Sequence, residues 1–370
     1  MNSHISSFDK QGILAVDIGG GTQDILLWQP GQLLENGFKL VMPAPTVLIA
    51  QQIQRYTKRQ QAICLTGHTM GGGSNTWAVR QHLKAGLPVY ALPEAALTFH
   101  DNPDVVREMG VQIVNTAPDG MPRIYLQDLD LERLKAAFAC FEVELPASIA
   151  VAVQDHGFSP HQSNRVVRFR YWQQFLDQGG ALREWVSLAP PPFMTRMSAQ
   201  KKSYPQALVL DTGIAAILGA LQDEQGREWQ KAGLTVVNVG NFHTIAALVR
   251  SERVLGIYEH HTDLLNPQKL EAHLQALRSG QLEHATVFAD NGHGCAYAKG
   301  IQTIAGDFAR VLVTGPKRRL LSQSDYHQAA PYGDMMLSGC FGLLCAAGWV
   351  FGGQPFAPSS RAQLNKNKTS

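Results

Sequence analysis

The chain has 370 residues, of which 45% are hydrophobic and 17% are charged, and its formal net charge is +2. Such a length predicts about two domains, and the composition is that of an ordinary globular protein rather than a disordered or fibrous one. The small net charge excludes a strongly basic surface, so neither a nucleic acid nor a membrane is expected as a partner.

The N-terminal residues and the cysteines predict a cytoplasmic protein with reduced thiols. Residues 1–12 lack a basic region followed by an apolar run, which argues against a signal peptide. The five cysteines are scattered and form no CxxC pair: Cys64, Cys140, Cys295, Cys340 and Cys345. We therefore expect neither an iron–sulfur cluster nor a structural zinc ribbon.

In the first half of the sequence, strands and helices alternate after three strands in quick succession. The predicted strands are residues 13–18, 24–28, 38–42, 62–66, 89–91, 111–114 and 149–153. The predicted helices are residues 46–60, 76–85 and 131–140. This order indicates an α/β domain with a mixed sheet over residues 1–180.

The second half begins again with the same pattern after an irregular stretch. Residues 181–206 are rich in proline and basic residues, which predicts a linker or an active-site flap. Further strands are predicted at residues 207–210, 235–239, 243–249, 254–258 and 310–314, and helices at 214–221, 270–277 and 335–349. We expect a second domain of the same kind over residues 207–354, and a disordered polar tail over residues 355–370.

A glycine-rich turn separates the first two predicted strands in AVDIGGGTQDILLW, residues 15–28. A Walker loop would need a lysine and a following helix, and a dinucleotide-binding fingerprint would also need a helix after the glycines. Two interpretations remain, a turn whose backbone N–H groups face phosphate oxygens and a plain tight hairpin. In the first, Asp17 holds Mg²⁺, Thr22 donates to a phosphate oxygen and Asp24 steadies the turn.

Two later segments extend this phosphate-binding interpretation. TVVNVGNFHTIAALV, residues 235–249, repeats the strand, glycine turn and strand, and VLVTGPKRRLL, residues 311–321, is a strand that ends in a glycine turn. The two hairpin turns could face each other across a cleft, with the adenine and ribose beside the third segment. The predicted cofactor-binding residues are Gly19, Gly20, Gly21, Thr22, Gln23, Gly240, Asn241, Gly315 and Lys317.

The order of these segments resembles the superfamily of actin, heat-shock chaperone ATPases and sugar kinases. The resemblance implies two related ribonuclease-H-like domains with mixed sheets, and ATP with Mg²⁺ in a central cleft. Asn238 stands where that superfamily usually has aspartate. More narrowly, GHTMGGGSNTWA, EHHT, DNGHG, VTGPKRR and GDMMLSG look like a family that carries the label pyruvate formate-lyase activating enzyme. That label implies a radical enzyme with a CxxxCxxC loop, which this sequence lacks, so radical chemistry is not expected.

Two glycine- and aspartate-containing segments carry further candidate residues. The loop in residues 65–83 precedes a helix and is either an anion pocket with His68 at its edge or a plain connection. Asp155 follows the apolar strand 149–153 and is either a general base for a substrate hydroxyl or a turn-forming residue. Asp211 is the other candidate for the base.

Histidines and carboxylates are concentrated in YEHHTDLL, residues 258–265, and FADNGHGCAY, residues 288–297. Imidazole and carboxylate together suit a transition metal, which predicts a ligand set of His260, His261, Asp290 and His293. Neighbouring side chains of a strand point to opposite faces, so His260 and His261 reach one ion only where the strand ends. The alternatives are structural histidines and a substrate pocket lined by His68, His243, His261 and His293.

These residues predict an ATP-dependent enzyme, either a small-molecule kinase or an ATPase that drives another reaction. Asp17 and Mg²⁺ would neutralise the phosphates, and Asp155 or Asp211 would act as the base. One alternative is a nucleotide-dependent switch without its own small substrate, which Asn238 favours because the missing carboxylate would slow hydrolysis. A second alternative is a metal-dependent enzyme that uses the histidine-rich cleft. The sequence predicts neither the acceptor nor the oligomeric state.

Overall fold

The computed structural model of the protein describes residues 12–186, 188–301 and 307–351. Its strands are β1 (Ile13–Ile18), β2 (Thr22–Trp28), β3 (Phe38–Pro43), β4 (Ile63–Gly67), β5 (Val89–Ala91), β6 (Val111–Ile113), β7 (Arg123–Leu126), β8 (Ile149–Val153), β9 (Leu208–Asp211), β10 (Leu234–Val239), β11 (His243–Arg250), β12 (Arg253–His261), β13 (Gly294–Tyr297), β14 (Val311–Thr314) and β15 (His327–Gln328). The predicted disordered tail, residues 355–370, lies outside the described residues.

The described α-helices fill the connections between these strands. They are α1 (Pro45–Lys58), α2 (Ser74–Lys84), α3 (Pro93–Ala96), α4 (Pro103–Glu108), α5 (Leu131–Ala139), α6 (Asn164–Asp177), α7 (Thr195–Ser203), α8 (Thr212–Ala220), α9 (Glu224–Trp229), α10 (Pro267–Arg278), α11 (His284–Ala289) and α12 (Ser338–Phe351). Within the described ranges, none of them combines the length and the apolar character that a membrane-crossing helix needs.

The first sheet has five strands in the order β3-β2-β1-β8-β9. Strands β1, β2 and β3 form an antiparallel meander, whereas β8 runs parallel to β1 and β9 runs parallel to β8. All five residues of β8 are buried, as expected for a central parallel strand with both faces covered.

The second sheet repeats this arrangement with one additional strand at its edge. Its order is β13-β12-β11-β10-β14-β15, with β10, β11 and β12 antiparallel and β14 parallel to β10. In both sheets an antiparallel meander of three strands is therefore extended on the side of its first strand by parallel strands. The predicted fold class, two related ribonuclease-H-like units with mixed sheets, is confirmed.

A third sheet of four parallel strands, β6-β5-β4-β7, lies between β3 and β8 in the chain. It has its own hydrophobic cluster, which includes Ile53, Ile63, Val79 and Val89. The prediction recognised β4, β5 and β6 as strands but did not separate them from the first sheet. It missed β7, whose short sequence RIYL alternates between exposed and buried residues.

The predicted boundary between the two halves is displaced by one strand. Strand β9 pairs with β8 in the first sheet, so residues 207–210 do not begin the second sheet as predicted. The apolar character of this strand was visible in the sequence, but a buried strand does not reveal its neighbour. The predicted linker, residues 181–206, contains the helix α7, and the sequence interpretation did not include α6.

Two helices of small residues, α8 and α12, pack against each other in the main core, which also contains β1, β8 and β10 side chains. A Cβ atom on Gly219 would lie 1.6 Å from the carbonyl oxygen of Ser338, and one on Gly342 would lie 1.9 Å from that of Ala215. Glycine is therefore required for the close approach of the two backbones. The N-termini of both helices point toward one end of the first sheet, because Thr212 and Gly339 both approach Asp17.

Candidate functional site

A cleft of about 660 Å³ is lined by segments of both main sheets and of the third sheet's loops. Its walls include the β1–β2 turn, the β10–β11 turn, the ends of β8 and β14, the loop before α2 and the start of α12. This volume lies in the range of about 300–1,000 Å³ that is typical of small-molecule sites.

The first turn, Gly19–Thr22, meets the second turn, Gly240–Phe242, at one end of the cleft. None of Gly19, Gly20 and Gly21 has a positive φ, so a left-handed backbone is not the reason for glycine here. A Cβ atom on Gly20 would lie 1.9 Å from the Phe242 ring, and one on Gly21 would lie 2.7 Å from the Asn241 amide nitrogen. The glycines instead leave room for the opposite turn.

Two carboxyl groups lie beside the first turn. Asp17, at the end of β1, accepts a 2.5 Å hydrogen bond from the Thr212 hydroxyl and pairs in register with Asp24 of β2. Burial raises the pKa of Asp17 to about 7. Burial, and next the charge of Asp17, raise the pKa of Asp24 to about 8. A cation between these groups would favour their charged forms.

The glycine turn at the end of β14 lies beside the second turn. The Gly240 N–H donates to the carbonyl oxygen of His243 at 3.0 Å, and Asn238, near the end of β10, lines the cleft. Gly315 has a φ of +98°, and a Cβ atom there would lie 2.6 Å from the Asn238 side-chain oxygen. Glycine at position 315 is thus required by both backbone conformation and space.

Three of the predicted cofactor-binding residues are absent from the cleft wall: Gly21, which faces Asn241, and Gln23 and Lys317, whose side chains are engaged elsewhere. The Gln23 amide is buried and donates to the carbonyl oxygen of Pro43 at 3.1 Å. The Lys317 ammonium forms an ion pair with Asp263 and is absent from the cleft wall. Both predictions placed the correct segment at the cleft, but the side chains turn to the other side of the backbone.

Four histidines from separate segments meet in the cleft and form what we call the histidine cluster. His243 faces His261 across β11 and β12, with 4.9 Å between the ring centroids. The ring of His293 lies 4.7 Å from that of His261, and its Nε2 atom is 3.0 Å from Nε2 of His156. The structure therefore brings together three of the four predicted substrate residues and adds His156, whose signal was its place at the end of an apolar strand.

The histidine cluster is neutral at physiological pH. Burial lowers the pKa of His243 to about 4 and places the pKa of His156 and of His293 well below the ordinary value. Burial also lowers the pKa of His261. The charge of nearby Arg168 acts in the same direction on His156. Each of these imidazoles thus has a nitrogen lone pair available.

The predicted metal set of His260, His261, Asp290 and His293 is wrong as a group. His260 is fully buried on the opposite face of β12, where its Nε2 atom lies 3.0 Å from Asp290 Oδ2. Lys269 pairs with the same carboxylate at 2.8 Å. The reason is the alternation of side chains along a strand, which places His260 and His261 on opposite sides.

The predicted bases are occupied by structural interactions. Asp211 is fully buried, caps α8 through the N–H of Gly213 and pairs with Arg168 at 2.9 Å, so it does not line the cleft. Asp155 accepts from the N–H groups of Gly157 and Met197 at 2.8 and 2.9 Å. Asp155 therefore holds the turn after β8, although it lies in the cleft wall.

His68 also lies outside the cleft, whereas its loop does not. Its Nδ1 atom is 3.1 Å from Glu94, and the cleft wall is formed by the following residues 70–73. This loop is held by Asp128, which accepts from the Gly71 N–H at 3.1 Å and from the Arg196 guanidinium at 2.8 Å. The predicted anion pocket therefore has an arginine behind it rather than a histidine at its edge.

Two arginines of the cleft wall, the buried Arg168 and the half-buried Arg196, were missed by the sequence interpretation. Arg168 on α6 bonds to Asp211 of the first sheet and, at 2.5 Å, to Glu259 of the second sheet. The partners are 43 and 91 residues away in the chain, respectively. No local pattern distinguishes Arg168 from the exposed Arg170 on the same helix.

The fold and the site define a two-unit α/β protein whose related mixed sheets flank a cleft entered by two glycine turns. A family model described as "Putative pyruvate format-lyase activating enzyme (DUF1786)" matches residues 70–320, and the chain belongs to this family. The narrower resemblance drawn from the sequence is thereby confirmed. No curated protein matches the sequence.

Two solved structures are similar to the chain at low sequence identity. One is described as "Crystal structure of apo psk41 parM protein", with 12% identity, a TM-score of 0.31 and coverage of 96% of this chain and 98% of that chain. The other is the ethanolamine utilization protein EutJ from Carboxydothermus hydrogenoformans, with 9% identity, a TM-score of 0.30 and coverage of 89% of this chain and 88% of that chain.

Proposed function

We propose that this protein binds ATP with Mg²⁺ in the cleft and transfers the γ-phosphoryl group to a small molecule or to water. The observation that carries the proposal is the meeting of the two glycine turns, one from each sheet, at Gly20 and Phe242. Backbone N–H groups of glycine turns form concave sites for anions, and phosphate oxygens fit such sites. Side chains at these positions would collide with the opposite turn and displace both turns.

The donor atoms beside the first turn suit Mg²⁺. Asp17 and Asp24 supply carboxylate oxygens, and Thr22 and Thr212 supply hydroxyl oxygens, which are the hard ligands that Mg²⁺ prefers. The raised pKa values of both carboxyls are the expected property of an acidic pair that gains from a bound cation. When bound, Mg²⁺ would neutralise phosphate charge, and Asp17 would orient it from the end of β1.

The other end of the cleft suits a nucleoside. Gly315 and Pro316 follow β14, and Met335 and Met336 precede α12, so the wall there is a glycine turn flanked by polarizable side chains. Methionine adapts its shape to flat rings and contacts them favourably. We place the adenine and ribose between these two segments.

The histidine side of the cleft would hold the acceptor. His243 follows the second turn directly, so a group bound among the histidines would lie next to the phosphates. Because Asp155 and Asp211 are engaged elsewhere, a neutral imidazole replaces them as the proton acceptor in this proposal. His261 suits this role because it lines the cleft and its pKa is lowered, which keeps its lone pair free.

Asn238 favours a second candidate function, a nucleotide-dependent switch. Its amide lines the cleft at the position where the related superfamily usually has aspartate. An amide cannot accept a proton or compensate a cation as a carboxylate does, so hydrolysis would be slow. Steady-state turnover separates the candidates, because a switch would bind ATP yet release phosphate at most once in many minutes, with or without a small acceptor.

The proposal does not include the radical chemistry that the family description names. Cys64 lies on β4, Cys140 follows α5, Cys295 lies on β13, and Cys340 and Cys345 lie on α12. Among the described residues, no three of these thiols come together as the ligands of a cluster would.

Calorimetric titration of the protein with Mg²⁺-ATP, Mg²⁺-ADP and ATP without metal tests the proposal. We expect Gly20→Val to weaken Mg²⁺-ATP binding at least tenfold, because the added side chain would collide with the Phe242 ring and displace the two turns. Gly31→Asn is the matched control, since Gly31 lies in an exposed turn with positive φ, which asparagine tolerates. If wild type binds no nucleotide, or if Gly20→Val binds Mg²⁺-ATP like wild type, the phosphate site is wrong.

A further inference from the structure

Donor atoms of His156, His243, Glu259 and His293 all lie within 4.8 Å of one another. We propose that these four residues bind one divalent transition-metal ion, of the class of Zn²⁺, Mn²⁺ or Fe²⁺. Three imidazoles with one carboxylate form a donor set that suits such ions and is unlike the all-oxygen sets of Mg²⁺ and Ca²⁺. The site goes beyond the proposed nucleotide function and does not depend on it.

The spacing of the ring nitrogens fits two ligands of one ion. Nε2 of His156 and Nε2 of His293 are 3.0 Å apart. Metal–nitrogen distances of about 2.0–2.1 Å place two ligand nitrogens about 2.9 Å apart at a right angle and about 3.4 Å apart at the tetrahedral angle. The two imidazoles therefore need little movement to share one ion.

The contacts of the ring nitrogens also suit a metal. A metal ion binds the lone pair of a neutral imidazole nitrogen, and Nε2 of His156 and Nε2 of His293 face each other at 3.0 Å. In addition, Nδ1 of the buried His293 has no hydrogen-bond partner among the described residues. Since no hydrogen bond holds the ring of His293 through Nδ1, its Nε2 atom can turn toward an ion without the loss of such a contact.

Glu259 supplies the negative charge and is oriented by further residues. Its carboxylate accepts from Gln154 at 2.6 Å and from Arg168 at 2.5 Å, and each oxygen keeps a second lone pair. Ligating carboxylates are commonly held by such outer hydrogen bonds. Arg168 also pairs with Asp211 at 2.9 Å, so Glu259 is not its sole counter-ion.

The ligands are held by both halves of the protein. His156 follows β8 of the first sheet, whereas His243 begins β11, Glu259 lies on β12 and His293 precedes β13 of the second sheet. A bound ion would therefore connect the two sheets. Residues placed on strands and strand ends hold their geometry better than residues of long loops.

Titration of untagged, chelator-stripped protein with Co²⁺ tests the site, because protein-bound Co²⁺ has visible absorption bands. A polyhistidine tag must be absent, since it would bind the same ions. We expect wild type to bind one equivalent of Co²⁺ and to lose it to Zn²⁺, with the bound metal counted by elemental analysis. His156→Ala and His293→Ala should each weaken Co²⁺ binding by about 100-fold and change the absorption bands.

His260→Ala is the matched control, because His260 is as buried as His293 and lies on β12 but on the opposite face. It should keep one equivalent of Co²⁺ with wild-type bands, and circular dichroism checks that each variant is folded. If wild type binds no Co²⁺, or if His156→Ala and His293→Ala bind it like wild type, the site is wrong. Mg²⁺-ATP binding of the same variants is measured separately, so failure of the metal site and failure of the nucleotide site are distinguishable.

Discussion

The ring of Phe242 occupies the position that a side chain on Gly20 would take, because a Cβ atom there would lie 1.9 Å from Cδ2 of Phe242. Gly20 belongs to the hairpin of the first sheet, and Phe242 belongs to that of the second sheet. The contact therefore joins the two halves of the protein in the wall of the cleft. It also explains why a glycine whose φ is not positive is needed there.

This contact predicts non-additive stabilities for two substitutions. Gly20→Ala should lower the free energy of unfolding by about 1–3 kcal/mol through overpacking against the ring. In a background of Phe242→Ala the same substitution should cost less than half of that, because the space is then open. Urea denaturation of the two single variants and the double variant measures the coupling. Additive effects would show that the turns do not touch.

The stability of the protein is predicted to depend more on Arg168 than on any other charged residue of the core. Arg168→Met leaves the buried carboxylates of Asp211 and Glu259 without their guanidinium partner, which should lower the free energy of unfolding by about 3–5 kcal/mol. Arg170→Met on the same helix is the matched control, since Arg170 is exposed and its loss should change stability by less than about 0.5 kcal/mol. Equal melting temperatures for the two variants would contradict the assigned network.

The packing of α8 on α12 predicts that glycine cannot be replaced by alanine at Gly219 or Gly342. A Cβ atom at either position would lie less than 2 Å from a backbone carbonyl oxygen, 1.6 Å and 1.9 Å respectively. Because backbone atoms cannot move aside as side chains do, we expect each variant to lose at least about 3 kcal/mol of stability. Replacing an exposed helical glycine by alanine would instead raise the free energy of unfolding by up to about 1 kcal/mol. A stabilised Gly219→Ala or Gly342→Ala variant would therefore contradict the close packing of the two helices.

Asp24 is predicted to make stability fall as the pH rises, in the absence of Mg²⁺ and nucleotide. Its folded-state pKa of about 8 lies above the ordinary 3.8, so the folded protein binds the proton more tightly than the unfolded chain. The stabilisation is complete below pH 3.8 and is lost as the pH rises toward 8. Asp17, with a pKa of about 7, acts in the same direction.

Asp24→Asn should remove part of this pH dependence. We expect it to gain at least about 1.4 kcal/mol relative to wild type between pH 5 and pH 9, the equivalent of one pKa unit. Asp104→Asn, at a carboxylate whose side chain is 79% exposed, should show no such gain. The measurement is urea denaturation at both pH values in EDTA. A wild-type pH profile in Asp24→Asn would mean that the carboxyl is charged in the folded protein.

The sequence by itself determined the local elements and the segments that form the cleft. Short apolar runs ended by glycine turns predicted the meander of β1, β2 and β3 and that of β10, β11 and β12. Strand burial and turn formation could be predicted because they depend on the residues of each segment itself. The histidine-rich segments favoured a substrate pocket of His68, His243, His261 and His293, and the structure places the last three in the cleft wall.

Only the tertiary structure decided which elements and charges become partners. The sequence of β9 shows a buried strand, but pairing with β8 rather than β10 follows from the packing of both sheets. In the same way, the sequence does not distinguish Arg168 from Arg170. Only the structure places Asp211 and Glu259 at 2.9 and 2.5 Å from Arg168. The local periodicity of the sequence shows on which face of its helix or strand a side chain lies. Which strands pair, and which charged side chains form ion pairs, depends on contacts between residues far apart in the chain.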